Sequence, residues 1–215
     1  MKIIKRLLIF LLVLIVIIVG AGLIAINQIK YEVTSSDLPQ DVYETDGNFS
    51  ALMLEKVEDL LFTEEEDSYT LIEDFINLLI LDIIKKDINP EYDPLNGETE
   101  DSLFIINHEQ FQLDYIYAHL NEENQLIITV SLKRDTIPNV TTAFHFIFDI
   151  DYSKTTFSLT LTLNQVFLHD IEVKHNIYDY FVSMADKNEI EVYVDKGTLN
   201  LDDYTYTINF YDLFL

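Results

Sequence analysis

Hydrophobic and polar positions divide this chain into three regimes. From Leu7 to Ile26 twenty residues run without a charge, LLIFLLVLIVIIVGAGLIAI. At about 1.5 Å rise per residue such a helix covers roughly 30 Å, the hydrocarbon thickness of a bilayer, with its backbone polar groups satisfied internally. The run predicts a membrane helix. Asn27 to Gly47 is polar and aperiodic, with Ser35-Ser36-Asp37, Pro39 and Gly47, and predicts a stalk. The helical period then predicts a helix over 49–62, capped by Asn48, with an apolar stripe of Leu52, Leu54, Val57, Leu60 and Leu61. A second predicted helix, Leu71 to Ile88, is apolar nearly all round. Thr70 and Glu73 have the spacing of a capping box, and Asn89-Pro90 marks the helix end. Asp74, Asn77 and Asp82 exclude it as a membrane span, so burial against a sheet is expected.

After a loop marked by Pro90, Pro94 and Asn96-Gly97, the period changes to two. Phe111, Leu113, Tyr115 and Tyr117 form one alternating set, and Leu126, Ile128, Val130 and Leu132 another. Phe144, Phe146, Phe148, Ile150 and Tyr152 oppose His145, Asp149 and Asp151, and Phe157, Leu159, Leu161 and Leu163 oppose Ser158, Thr160 and Thr162. A turn at Ser153-Lys154 should pair these two strands antiparallel. The parity of Leu163 continues through Gln165, Phe167, His169, Ile171 and Val173. Ile190, Val192, Val194, Leu199, Leu201, Tyr204, Tyr206, Ile208 and Phe210 complete the series, interrupted at most by a helix over 177–184. The predicted fold is α+β: an N-terminal transmembrane helix, then one or two helices packed on a curved, mainly antiparallel sheet with one wet side. Its divisions are 1–28 for the cytoplasmic N-terminus and anchor, 29–47 for the stalk and 48–215 for the domain.

Charge sets the orientation. Lys2, Lys5 and Arg6 precede the apolar run, whereas only Lys30 follows before Glu32 and Asp37, which places the N-terminus in the cytoplasm and the domain outside the plasma membrane. The run is long for a signal peptide and is read as an uncleaved anchor. The alternative is cleavage near Val19-Gly20-Ala21. All 38 acidic residues and ten of the 13 basic ones follow the anchor, giving the outer part a formal charge of 10 − 38 = −28. So negative a surface, without a basic stripe, excludes nucleic acid as a partner. Hydrophobic content of 49% argues for a folded core despite that charge. Without cysteine there is no disulfide and no thiolate metal site, so the core alone must hold the domain.

The order of parts resembles the YpmS-like family of single-pass bacterial membrane proteins. The residues carrying the resemblance are the basic N-terminus with its anchor, the helix opening at Thr70, the strand pair FHFIFDIDYSKTTFSLTLTL over 144–163 and the closing DKGTLNLDDYTYTINFY over 195–211. It implies a tethered domain of the cell envelope that handles lipid, and it supplies no site residues.

Signatures of enzymes are absent: there is no glycine-rich phosphate loop, no Gly-x-Ser-x-Gly elbow and no His-Glu-x-x-His. No catalytic residue, metal site or cofactor is therefore expected. His145, Asp149 and Asp151 share a strand face where a divalent cation is conceivable, but alternation alone also places polar residues there. His169 reads as a hydrogen-bonded core imidazole. The remaining candidate is the apolar face of Phe144, Phe146, Phe148, Phe157, Leu159 and Leu161, either ordinary core or a groove for an acyl chain. The leading expectation is a membrane-anchored binding domain for lipid or an envelope partner. The alternative is a non-catalytic assembly factor whose anchor pairs with another membrane helix through the small residues Gly20, Ala21, Gly22 and Ala25.

Overall fold

The longest strand, Val140–Ser153, turns back at Lys154 to Phe157 into Ser158–Leu168, and this hairpin is the centre of the molecule. The computed structural model describes residues 31, 33, 37–44, 48–63, 68–109, 111–134, 140–174, 197–200 and 203–213. The predicted anchor with Gly20, Ala21, Gly22 and Ala25, the predicted helix over 177–184, and Ile190, Val192 and Val194 lie outside them. Among the described residues no helix is long and apolar enough to cross a membrane.

In chain order the elements are α1 (Gln40–Tyr43), α2 (Phe49–Phe62), α3 (Ser68–Ile83) prolonged by a π turn (Ile84–Ile88), α4 (Glu100–Leu103), β1 (Ile106–His108), β2 (Phe111–Leu120), β3 (Leu126–Arg134), β4 (Val140–Ser153), β5 (Ser158–Leu168), β6 (Ile171–Glu172), β7 (Gly197–Asn200) and β8 (Thr205–Asn209). All described pairings are antiparallel. The sheet order is β1-β2-β3-β4-β5-β8-β7, with β6 folded back on β5. The α+β class is as expected.

The core face of the sheet is built from transverse rows. Ile116, Val130, Phe144 and Leu168 form one, Ala118, Ile128, Phe146 and Val166 the next, and Tyr152, Leu159 and Ile208 a third. The helix α3 lies over this face and buries Ile72, Phe75, Ile76, Leu78, Leu81 and Ile83, as its all-round apolarity requires. Behind it α2 adds Val57 and Leu60 to the same core, with Lys56 of α2 paired to Asp74 of α3 at 2.6 Å.

Four expectations are corrected. The helix α3 begins at Ser68, so Thr70 lies inside it and caps nothing. The carboxylate of Glu73 accepts the backbone N–H of Leu120 at 3.0 Å instead. A capping box does occur, but at Thr99 and Ser102, opening α4. Second, the set Leu113, Tyr115, Tyr117 is split by a β-bulge, because Asp114 is an extra residue against β3. Leu113, Ile116 and Ala118 then face the core while Tyr115 and Tyr117 face the other side. Third, Asn164 is an extra residue against β4, so the core positions after Leu163 are Val166 and Leu168, not Gln165 and Phe167. Phe157 also leaves the strand: it closes the turn with a φ of 48°, and its ring packs on Phe210 at 5.1 Å.

Beyond its short pairing with β1, the outer edge of β2 has no strand neighbour among the described residues, and side chains take the place of one. The Tyr92 hydroxyl donates to the Asp114 carbonyl (2.8 Å), Tyr43 to that of Ile116 (3.5 Å), Asn77 exchanges two bonds with Ala118 (2.8 Å each), and Glu73 accepts from Leu120. Exposed strand edges recruit other strands, and this one is closed by four side chains that reach Asp114, Ile116, Ala118 and Leu120, two apart along β2.

Candidate functional site

All six residues of the candidate apolar face are buried, from 0% to 7% exposed. Phe144 and Phe146 stack at 6.4 Å, Phe157 meets Phe210, and Phe210 in turn meets Phe75 of α3 at 5.3 Å edge-on. The hairpin's aromatic face and the apolar face of α3 thus belong to one cluster.

The opposite face carries the less ordinary chemistry. Its central row runs Tyr117, Thr129, His145, Phe167, and the rows beside it run His119, Ile127, Ile147, Gln165 and Tyr115, Ser131, Ala143. His169, at the end of β5, reaches the last of these through its backbone N–H, which donates to the Ala143 carbonyl at 2.8 Å. The imidazoles of His119, His145 and His169 therefore come from three parts of the sequence to one patch. Thr129 and Ser131 in that patch are fully buried although they lie on the polar side of the sheet.

Part of their cover is the segment just before α1. The Tyr31 amide donates to the Thr141 carbonyl at 2.8 Å, and the Tyr31 ring sits against His145 (5.3 Å, edge-on) and His169 (5.4 Å, tilted). Leu38 is buried, and Val42 of α1 has crossed to the core face. Residues expected as stalk, where described, lie against the domain as a strap, with Tyr31 on the histidine patch and Tyr43 beside Tyr92 and the Ile116 carbonyl.

Burial sets the protonation of this patch. It pushes the His145 imidazole down to about 4, and the neighbouring His119 and His169 act in the same direction while Asp170 opposes them. His119 is lowered by burial against the pull of Asp37, and Tyr117 is raised by burial. His145 Nδ1 and Thr129 Oγ1 are 3.0 Å apart, and His169 Nε2 lies 3.2 Å from the Asp170 carboxylate. At neutral pH His145 is neutral, suited to hydrogen bonding and ring packing.

His145 does not join Asp149 in a cation site. Asp149 accepts instead from Gln125 at 2.6 Å and from Asn164 at 3.3 Å. Among the described residues no three His, Asp or Glu side chains are grouped to hold a metal ion. His169 is a partnered imidazole at the sheet's end, with a left-handed φ of 51°.

No family model, curated protein or solved structure matches this chain. What it does must be argued from its own residues. Its histidines lie far apart in the sequence. The cross-strand register brings them together, and it depends on two bulges that periodicity does not reveal.

Proposed function

We propose that this chain is a single-pass protein of the plasma membrane whose extracytoplasmic domain acts by binding, without catalysis, as an assembly module that meets its partners through its surface. The observation supporting surface binding over an acyl-chain groove is the burial of Phe144, Phe146, Phe148, Phe157, Leu159 and Leu161 in one core with α2 and α3. Side chains of the protein itself meet this face, and an acyl chain entering there would have to displace Phe75 or Phe210.

Supporting the tether are the uncharged run Leu7 to Ile26 and the basic Lys2, Lys5 and Arg6 before it. The resemblance to the YpmS-like family points the same way. Supporting the assembly role are Gly20, Ala21, Gly22 and Ala25, whose small side chains let a second membrane helix approach closely.

The test is to purify the full chain from membranes after crosslinking, with and without Gly20→Leu and Gly22→Leu, and to extract co-purifying lipid for mass spectrometry. A defined protein partner lost in the leucine variants, with no stoichiometric lipid, is the expected result. Stoichiometric lipid with no protein partner would overturn it in favour of acyl-chain binding.

A further inference from the structure

The strap fixes which end of the domain is nearest the anchor. The amide of Tyr31 is bonded to the Thr141 carbonyl at the start of β4, and Tyr31 is only five residues beyond Ile26, the last residue of the apolar run. Five residues span at most about 17 Å whatever their conformation. The headgroup layer on one side of a bilayer is itself roughly 5 to 8 Å deep. The end of the sheet that holds Thr141 is therefore kept within a short distance of the lipid surface.

That end is composed for such a neighbour. By register Lys133 and Arg134 of β3 stand opposite Thr141 and Val140. Next to them β5 ends, and the return through His169 and Asp170 leaves Ile171 43% exposed before β6 runs back along β5. Tyrosine, lysine, arginine and an exposed aliphatic side chain are the types that settle at a membrane–water interface. The far end differs. The turn after β2 presents Glu122 and Glu123, and the turn after β4 lies twelve residues along the strand from Thr141, about 40 Å away.

We propose that the surface formed by Tyr31, Lys133, Arg134 and Ile171 docks on the headgroup layer of the bilayer that holds the anchor. This rests on the anchored reading given above. Asp170 and Glu172 lie in the same surface, so the contact is held by the high local concentration the tether imposes and not by net charge. Docked in this way, the domain stands on the membrane by one end of its sheet and directs the Glu122-Glu123 turn outward.

Because the chain contains no cysteine, single labels can be introduced without other changes. The experiment uses the full chain in lipid nanodiscs carrying a paramagnetic nickel-chelating headgroup, with nitroxides at Ile171→Cys and Thr155→Cys, both exposed positions. Relaxation by the headgroup metal is expected to be several-fold stronger at 171 than at 155. Equal relaxation at the two ends, or stronger relaxation at 155, would overturn the docking while leaving the anchor intact. A chain that does not float with membranes would instead overturn the anchored reading, and the docking with it.

Discussion

Asn77 of α3 and Ala118 of β2 exchange two hydrogen bonds of 2.8 Å, the side-chain amide donating to the Ala118 carbonyl and accepting from its N–H. One primary amide thus supplies both bonds that a neighbouring strand would make. Asn77 is 3% exposed, so neither Ala118 group could turn to water if the amide were removed. A buried orphaned donor or acceptor costs about 1–3 kcal/mol. Asn77→Ala should therefore destabilise the domain by about 2–4 kcal/mol, seen in urea as a lower midpoint with an unchanged slope. A loss no larger than that of an exposed substitution would show that water replaces the amide.

Farther along the same edge Tyr92 is fully buried, its hydroxyl on the Asp114 carbonyl and its ring 6.3 Å from that of Tyr43. Burial pushes the Tyr43 phenol up to about 12, and the Tyr92 hydroxyl beside it pulls the other way. Tyr92→Phe keeps the ring and removes one bond at the bulge. It is expected to cost about 1–2 kcal/mol in thermal or urea unfolding, while Tyr211→Phe, at an exposed ring, changes little.

The turn before α4 has no room for a side chain at Gly97. A Cβ there would lie 2.7 Å from Leu103 Cδ2, 2.8 Å from the Asp93 carbonyl oxygen and 2.9 Å from Ser102 Oγ. Two of those neighbours are fixed, because the Asp93 amide donates to the Ser102 carbonyl and Ser102 closes the capping box with Thr99. Gly97→Ala should cost about 1–3 kcal/mol and raise hydrogen exchange at the Asp93 and Ser102 amides ahead of the rest of the domain.

Acid should act on the histidine patch. The His145 imidazole is lowered from 6.5 to about 4 in the folded chain, so between those values the unfolded chain binds the proton and the folded one does not. Stability contributed by neutral His145 is present above about pH 6.5 and is lost as pH falls toward 4. His119, also lowered, acts with the same sign, whereas Glu73 and Asp114, raised by burial, act oppositely. Comparing melting temperature against pH for the native chain and His145→Asn isolates the one term. The difference between them should narrow on acidification, and a pH-independent difference would contradict the assignment.

Much of the fold was legible because two periods are clean. The bounds Phe49 and Phe62 of α2 follow from polar residues at Asn48 and Thr63, and the β4–β5 pairing follows from matched alternation on either side of Ser153-Lys154. Parity failed where one residue was extra. Asp114 and Asn164 look like ordinary wet-face positions, and each reverses the facing of the residues on one side of it. Asn77 announced itself only as a polar interruption in an apolar helix, since its partner is a backbone group 41 residues away. The row Tyr117, Thr129, His145 follows only once Asp114 is recognised as a bulge, and His169 joins it only through the bulge at Asn164. The packing of Tyr31 on that patch has no local sequence signal.

Stability also distinguishes the two readings of the apolar face. Phe146 is 1% exposed in the row with Ala118, Ile128 and Val166, under α3. If its ring is structural packing, Phe146→Ala leaves a cavity and costs about 3–5 kcal/mol, a large part of what a domain of this size possesses. If the ring instead lined an acyl-chain groove, truncation would enlarge an existing space, cost about 1–2 kcal/mol of lost transfer energy and alter the bound lipid. Phe144→Ala and Leu159→Ala should follow the same pattern, since both residues are fully buried. Urea unfolding of the three variants is the measurement. Uniformly large losses, with no change in extractable lipid, are the outcome expected for a face that is core.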